Sequence, residues 1–106
     1  MSPQERVIGA KIKEAVLTLD SEARVYLYGS RARGEETRES DWDILVLSQK
    51  TVTPLIKKTI RHALYDIEWE NGCVISSIIH EIKEWESPRM KLTPLYRNIE
   101  RDSISL

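Results

Sequence analysis

The chain has 106 residues, 41% of them hydrophobic and 31% charged, which suits one packed core and excludes disordered, collagen-like and disulfide-scaffold classes. Sixteen Lys and Arg against seventeen Asp and Glu leave a net charge of −1; eight basic residues face nine acidic ones up to Thr53 and eight face eight beyond it, so neither half is a broad basic surface for nucleic acid or anionic lipid. The lone Cys73 allows no internal disulfide, no apolar run approaches the ~20 residues of a membrane helix, and the start of the chain is polar, so a cytoplasmic, reducing setting is expected.

Ser2-Pro3-Gln4-Glu5 combines a capping hydroxyl, a proline at the first helical position and a carboxylate three residues after the cap, which predicts a helix start. Val7, Ile8, Ile12, Ala15, Val16 and Leu19 then recur at helical spacing as far as Asp20. Arg24 to Tyr28 reads as a short strand stopped by Gly29, and Ser30 to Ser40 as a polar loop that opens with one helical turn. Ile44 to Leu47 is a continuous apolar run, as in an interior strand covered on both faces. Thr53-Pro54 opens a second long helix through Ile67, Asn71-Gly72 ends it, and Cys73 to Ile79 is a third strand. Glu81 to Glu86 forms one or two helical turns broken by Pro88, and Thr93-Pro94 caps a closing helix carrying Leu95 and Ile99; the Ser-Ile-Ser-Leu tail has no assignment. The expected architecture is α/β or α+β: a small mixed sheet flanked by helices, in one domain over 1–106 with its core at about 2–80 and a C-terminal helical segment at 81–106.

Two devices lie between residues 26 and 47. The strand ending at Gly29, followed by Ser30, offers backbone amides and a hydroxyl for phosphate oxygens, with Arg31 and Arg33 close by. Asp41 and Asp43, two apart at a strand start, fall on one face of the sheet, while Trp42 between them must point to the other face and pack under a helix. Two carboxylates so placed repel, and a divalent cation such as Mg²⁺ relieves them; a phosphate cradle facing such a pair suits metal-assisted phosphoryl or nucleotidyl transfer. His62 and His80 are far apart and read as structural, Cys73 as a buried small side chain, and Tyr65, Trp69, Trp85 and Tyr96 as packing residues.

Gly29-Ser30, then Gly34, then Ser40-Asp41-x-Asp43 ahead of hydrophobics resembles the signature of the DNA polymerase beta-like nucleotidyltransferase superfamily, and the short length is similar to its minimal (MNT) members. The resemblance implies that Gly29 and Ser30, with Arg31, Arg33 and Ser40, bind a nucleoside triphosphate, ATP by preference. It implies too that Asp41 and Asp43 are catalytic and bind Mg²⁺, that AMP passes to a hydroxyl acceptor, and that a helical HEPN-type protein is the partner; a homodimer is an alternative assembly. Active members usually carry a third carboxylate on the strand after the second helix, where this chain has Ser76 and Ser77. Glu68 or Glu70 replaces it if that strand starts earlier. If neither does, the alternative is a catalytically weak nucleotide-binding module, an antitoxin-like subunit.

Overall fold

The computed structural model describes residues 1–106. Helix α1 (Pro3–Leu19) starts on the predicted box: Ser2 Oγ accepts from the Glu5 amide at 3.1 Å, and the Glu5 carboxylate accepts from the Ser2 amide at 3.0 Å. Strand β1 (Arg24–Tyr28) leads through the short helix α2 (Gly29–Arg33) and a loop into β2 (Trp42–Ser48). Helix α3 (Pro54–Asn71), capped by Thr53 and ended by Gly72 in the left-handed conformation at φ 61°, carries the chain to β3 (Ile75–Glu81). Three short helices follow, α4 (Ile82–Trp85), α5 (Pro88–Lys91) and α6 (Pro94–Asp102), and then β4 (Ile104–Ser105). None of the helices is long and apolar enough to cross a membrane.

The strands form one four-stranded mixed sheet in the order β3-β2-β1-β4, in which β2 runs antiparallel to β1 and parallel to β3, and β4 antiparallel to β1. As its apolar run predicts, β2 is buried on both faces. Ile44 and Val46 join Val25, Leu27 and Ile79 beneath Ile12 and Val16 of α1 and Leu64 of α3; Leu45 and Leu47 join Trp85 and Ile99 on the other face. Trp42 falls in the α1–α3 layer, opposite in direction to its neighbours 41 and 43, as strand alternation requires. A buried polar link ties the end of α1 to the end of β2: the Ser48 hydroxyl donates to Asp20 at 2.6 Å.

Three features depart from the sequence reading. The unassigned tail contributes a fourth strand on the outer edge of β1. Strand β3 begins two residues later than expected and continues through His80 and Glu81. Pro88 starts α5 instead of merely interrupting a helix, because the Ser87 hydroxyl accepts from the Met90 amide at 3.2 Å.

Candidate active site

The site lies where β1 ends and β2 begins. The antiparallel register sets Tyr28 opposite Asp43, so the residue after Tyr28 turns directly beside that carboxylate. That residue is Gly29, at φ +76°, and a Cβ added there would overlap the Asp43 carboxyl, whose Cγ would lie 3.1 Å away. Glycine is thus required twice, for the left-handed backbone and for the close approach. The glycine-serine bend and the acidic strand, inferred separately from sequence, form one surface.

Burial pushes the Asp43 carboxyl above the usual range; the Asp41 charge raises it further, and Arg33 acts the other way. Burial and the Asp43 charge likewise raise the Tyr28 phenol. Asp41 is exposed and stands immediately before β2. On the parallel neighbour β3, the residue in register with Asp43 is Ser76, also exposed, and in a parallel pair the two side chains share a face. Ser76, not Ser77, therefore occupies the place beside Asp43. Because β3 starts at Ile75, Glu68 and Glu70 belong to α3, and the condition for either to replace a strand carboxylate is not met. No three or more His, Cys, Asp or Glu side chains gather as a metal-binding group.

The two arginines separate because α2 is helical, and positions two apart on a helix point in nearly opposite directions. Arg33, on the Asp43 side, makes loose ion pairs of 3.5 Å with Glu35 and with Asp102 of α6. Arg31 turns to the α1 side, where it donates to the Ser40 carbonyl and to Glu5 and lies over the Trp42 ring. The Ser40 hydroxyl accepts from the Thr37 amide at 2.8 Å. Arg31 and Ser40, expected at the nucleotide, are thus engaged within the chain, while Gly29 and Arg33 lie near Asp43 and Ser30 follows Gly29 in the bend.

The remaining candidates lie apart from Asp43 in varied surroundings. His80 pairs with Glu84 at 2.8 Å, and His62 is exposed. Burial, then the Glu68 charge, raises the half-buried Cys73 thiol, which disfavours the thiolate. A cleft of about 310 Å³ lined by Tyr26, Leu47, Trp85 and Tyr96 lies on the α6 side, at the end of β1 and β2 remote from Asp43. Trp69, 74% exposed, departs from the packing role expected of it; it meets Tyr65 edge-on at 6.1 Å between ring centroids.

A mixed sheet with a glycine-serine bend against an acidic strand defines a nucleotidyltransferase fold, and the comparisons agree. The family described as "Nucleotidyltransferase domain" matches residues 10–103, and the chain belongs to it. Two solved structures share the fold. One is a toxin-antitoxin crystallised with AMP-PNP, with TM-score 0.65 and 16% identity over 92% of this chain and 70% of that one. The other is a mutant of the toxin-antitoxin MntA-HpeT, with TM-score 0.64 and 14% identity over 92% and 70%. No curated protein matches the chain in sequence.

Gly29→Ala should cost more stability than Gly34→Ala, since both glycines have positive φ, worth roughly 1–2 kcal/mol, but only Gly29 has a neighbour within 4 Å. Adding Asp43→Ala should recover part of the difference in urea melts; equal costs with no recovery contradict the contact. A carboxyl raised in the folded state holds its proton more tightly there than in the unfolded chain, so stability falls as pH rises from the ordinary value of 3.8 through the raised one. Asp43→Asn should therefore melt higher than wild type at pH 7 and lose that advantage below about pH 3.8; a lower melting point at pH 7 contradicts it.

Proposed function

We propose that the chain, as one minimal nucleotidyltransferase domain, binds a nucleoside triphosphate, ATP by preference, and transfers AMP to a hydroxyl of a partner protein in a magnesium-dependent reaction. The observation that carries the reading is the packing of Asp43 against Gly29, which sets one carboxylate, with Asp41 two residues before it, beside the glycine-serine bend. Toxin-antitoxin structures that share the fold, one of them with AMP-PNP, support a partner protein and a bound nucleotide; that the partner and acceptor is a helical HEPN-type toxin is what the family resemblance implies.

The donor set fits a magnesium ion. Asp41 and Asp43 are hard oxygen ligands whose mutual repulsion a cation relieves, and magnesium favours one or two carboxylates completed by substrate phosphates. Bound there, the ion supplies charge neutralisation for the triphosphate and the departing pyrophosphate. The Gly29 and Ser30 amides and the Ser30 hydroxyl hold the β- and γ-phosphates, and Arg33 exchanges its 3.5 Å pairs for a phosphate. The acceptor oxygen bonds to the α-phosphorus as the bond from that phosphorus to the bridging oxygen breaks, and pyrophosphate leaves with the electron pair. Ser76 is too weak a base to take the acceptor proton, which passes to solvent or to a phosphate oxygen.

That last point favours a second reading, a nucleotide-binding antitoxin module with little turnover. The two readings separate in one assay. With α-labelled ATP, Mg²⁺ and the protein encoded beside it, the enzyme reading expects label on the neighbour, lost with chelator and in Asp41→Asn or Asp43→Asn. Ser76→Asp should speed transfer by up to about 10²-fold, the low end of what a positioned base contributes. Complex formation without label, in wild type and Ser76→Asp alike, leaves only the binding module.

A further inference from the structure

We propose that Arg31 is a positioning residue for the acidic pair, clamping the two residues that flank Asp41. The inference rests on the reading that Asp41 and Asp43 hold a metal-bound nucleotide, and it gives Arg31 a role distinct from phosphate binding.

Arg31 uses all three guanidinium nitrogens. Nε and one terminal nitrogen donate to the Ser40 carbonyl at 3.1 and 2.7 Å, and the other terminal nitrogen donates to Glu5 at 3.2 Å. The guanidinium carbon lies 5.0 Å from the centroid of the Trp42 ring, within cation–π range. Ser40 and Trp42 are the neighbours of Asp41 on either side. The Ser40 carbonyl belongs to the peptide that joins it to Asp41, so two donors on it fix the plane from which Asp41 departs. Trp42 is held independently: the residue is 1% exposed and packs in the α1–α3 layer, and its amide donates to the Val74 carbonyl at 2.8 Å. Asp41 itself lies ahead of the strand ladder and is exposed, so its backbone depends on these two flanking anchors.

The clamp is itself held. The Arg31 side chain is 10% exposed, and Glu5, its ion-pair partner, is locked by the capping box of α1. The N-terminus of the first helix thereby bears on the placement of an aspartate in a distant loop. A lysine cannot reproduce the arrangement, because one ammonium lacks the planar fork that grips a carbonyl, pairs with a carboxylate and covers an indole together. A ligand for phosphate charge, by contrast, tolerates lysine far better.

The test uses the full chain and its Arg31→Lys variant, with folding followed by circular dichroism. Mn²⁺ binding in the presence of AMP-PNP is read by electron paramagnetic resonance, and AMP-PNP binding without metal by calorimetry. The clamp predicts that Arg31→Lys weakens Mn²⁺ binding about tenfold, the low end for residues that orient metal ligands. It predicts that metal-free AMP-PNP affinity stays within about twofold. Wild-type Mn²⁺ affinity in the variant overturns the inference and leaves the proposed function standing. A loss of metal-free AMP-PNP affinity as large as the loss for Mn²⁺ overturns it too, making Arg31 a phosphate ligand. A wild-type chain that binds neither probe overturns the function and the inference together. Should Arg31→Lys not fold, Glu5→Gln releases only the outer contact; a smaller Mn²⁺ loss supports the clamp, and none overturns it.

Discussion

The closeness of the Gly29 α-carbon to the Asp43 carboxyl governs how this molecule is built. It follows from the pairing of two strands: Tyr28 and Asp43 are opposite one another, so whatever follows Tyr28 must pass beside the acid. Any side chain there would collide, and the turn demands a positive φ, which glycine alone meets without strain. A slip of one residue in the β1–β2 register would point Asp43 into the apolar layer of α1 and α3 and bring Trp42 out of it. The burial of Trp42, Ile44 and Val46 on one face and Leu45 and Leu47 on the other therefore holds the site geometry as well as the fold.

The same arrangement stores electrostatic tension. Asp43 is partly desolvated and sits near the Asp41 charge, both of which disfavour its ionised form, with Arg33 as a partial counterweight. Tyr28, across the strand pair, is raised by burial and then by the Asp43 charge. Such penalties are what the proposed cation and polyanion would relieve on binding. The surroundings are correspondingly firm. The capping box holds the start of α1, and the Ser48–Asp20 hydrogen bond joins its end to β2. Ser76 is in register with Asp43, on the strand where the family resemblance implies a third acid. On the proposed function, the chain carries residues for binding a nucleotide but no strand carboxylate to take the acceptor proton.

Much of this was legible in the residue order, for local reasons. Three cap-and-proline pairs, Ser2-Pro3, Thr53-Pro54 and Thr93-Pro94, mark helix starts because they satisfy orphan amides within a few residues. The run Ile44 to Leu47 marks a strand covered on both sides for want of any polar face. What escaped depends on distant partners. Strand β4, only two residues long, exists because β1 offers it an edge. Strand β3 continues through His80 and Glu81 because β2 pairs with them as far as Ser48, although their polarity suggested an end. The two-residue spacing of Arg31 and Arg33 already suggested that they turn different ways, but not their partners, since nothing near them in sequence announces Glu5 or Asp102. Ser76 and Ser77 could not be told apart until the register chose one.

The reading as a magnesium-bound nucleotide site meets its most direct test in crystals of the chain grown with Mn²⁺ and AMP-PNP, with the ion located by its anomalous scattering. The account predicts an anomalous peak bonded to carboxylate oxygens of both Asp41 and Asp43, with the polyphosphate lying along Gly29 and Ser30. Density for the ion or the nucleotide anywhere else, with Asp43 still resting against an empty bend, would contradict it.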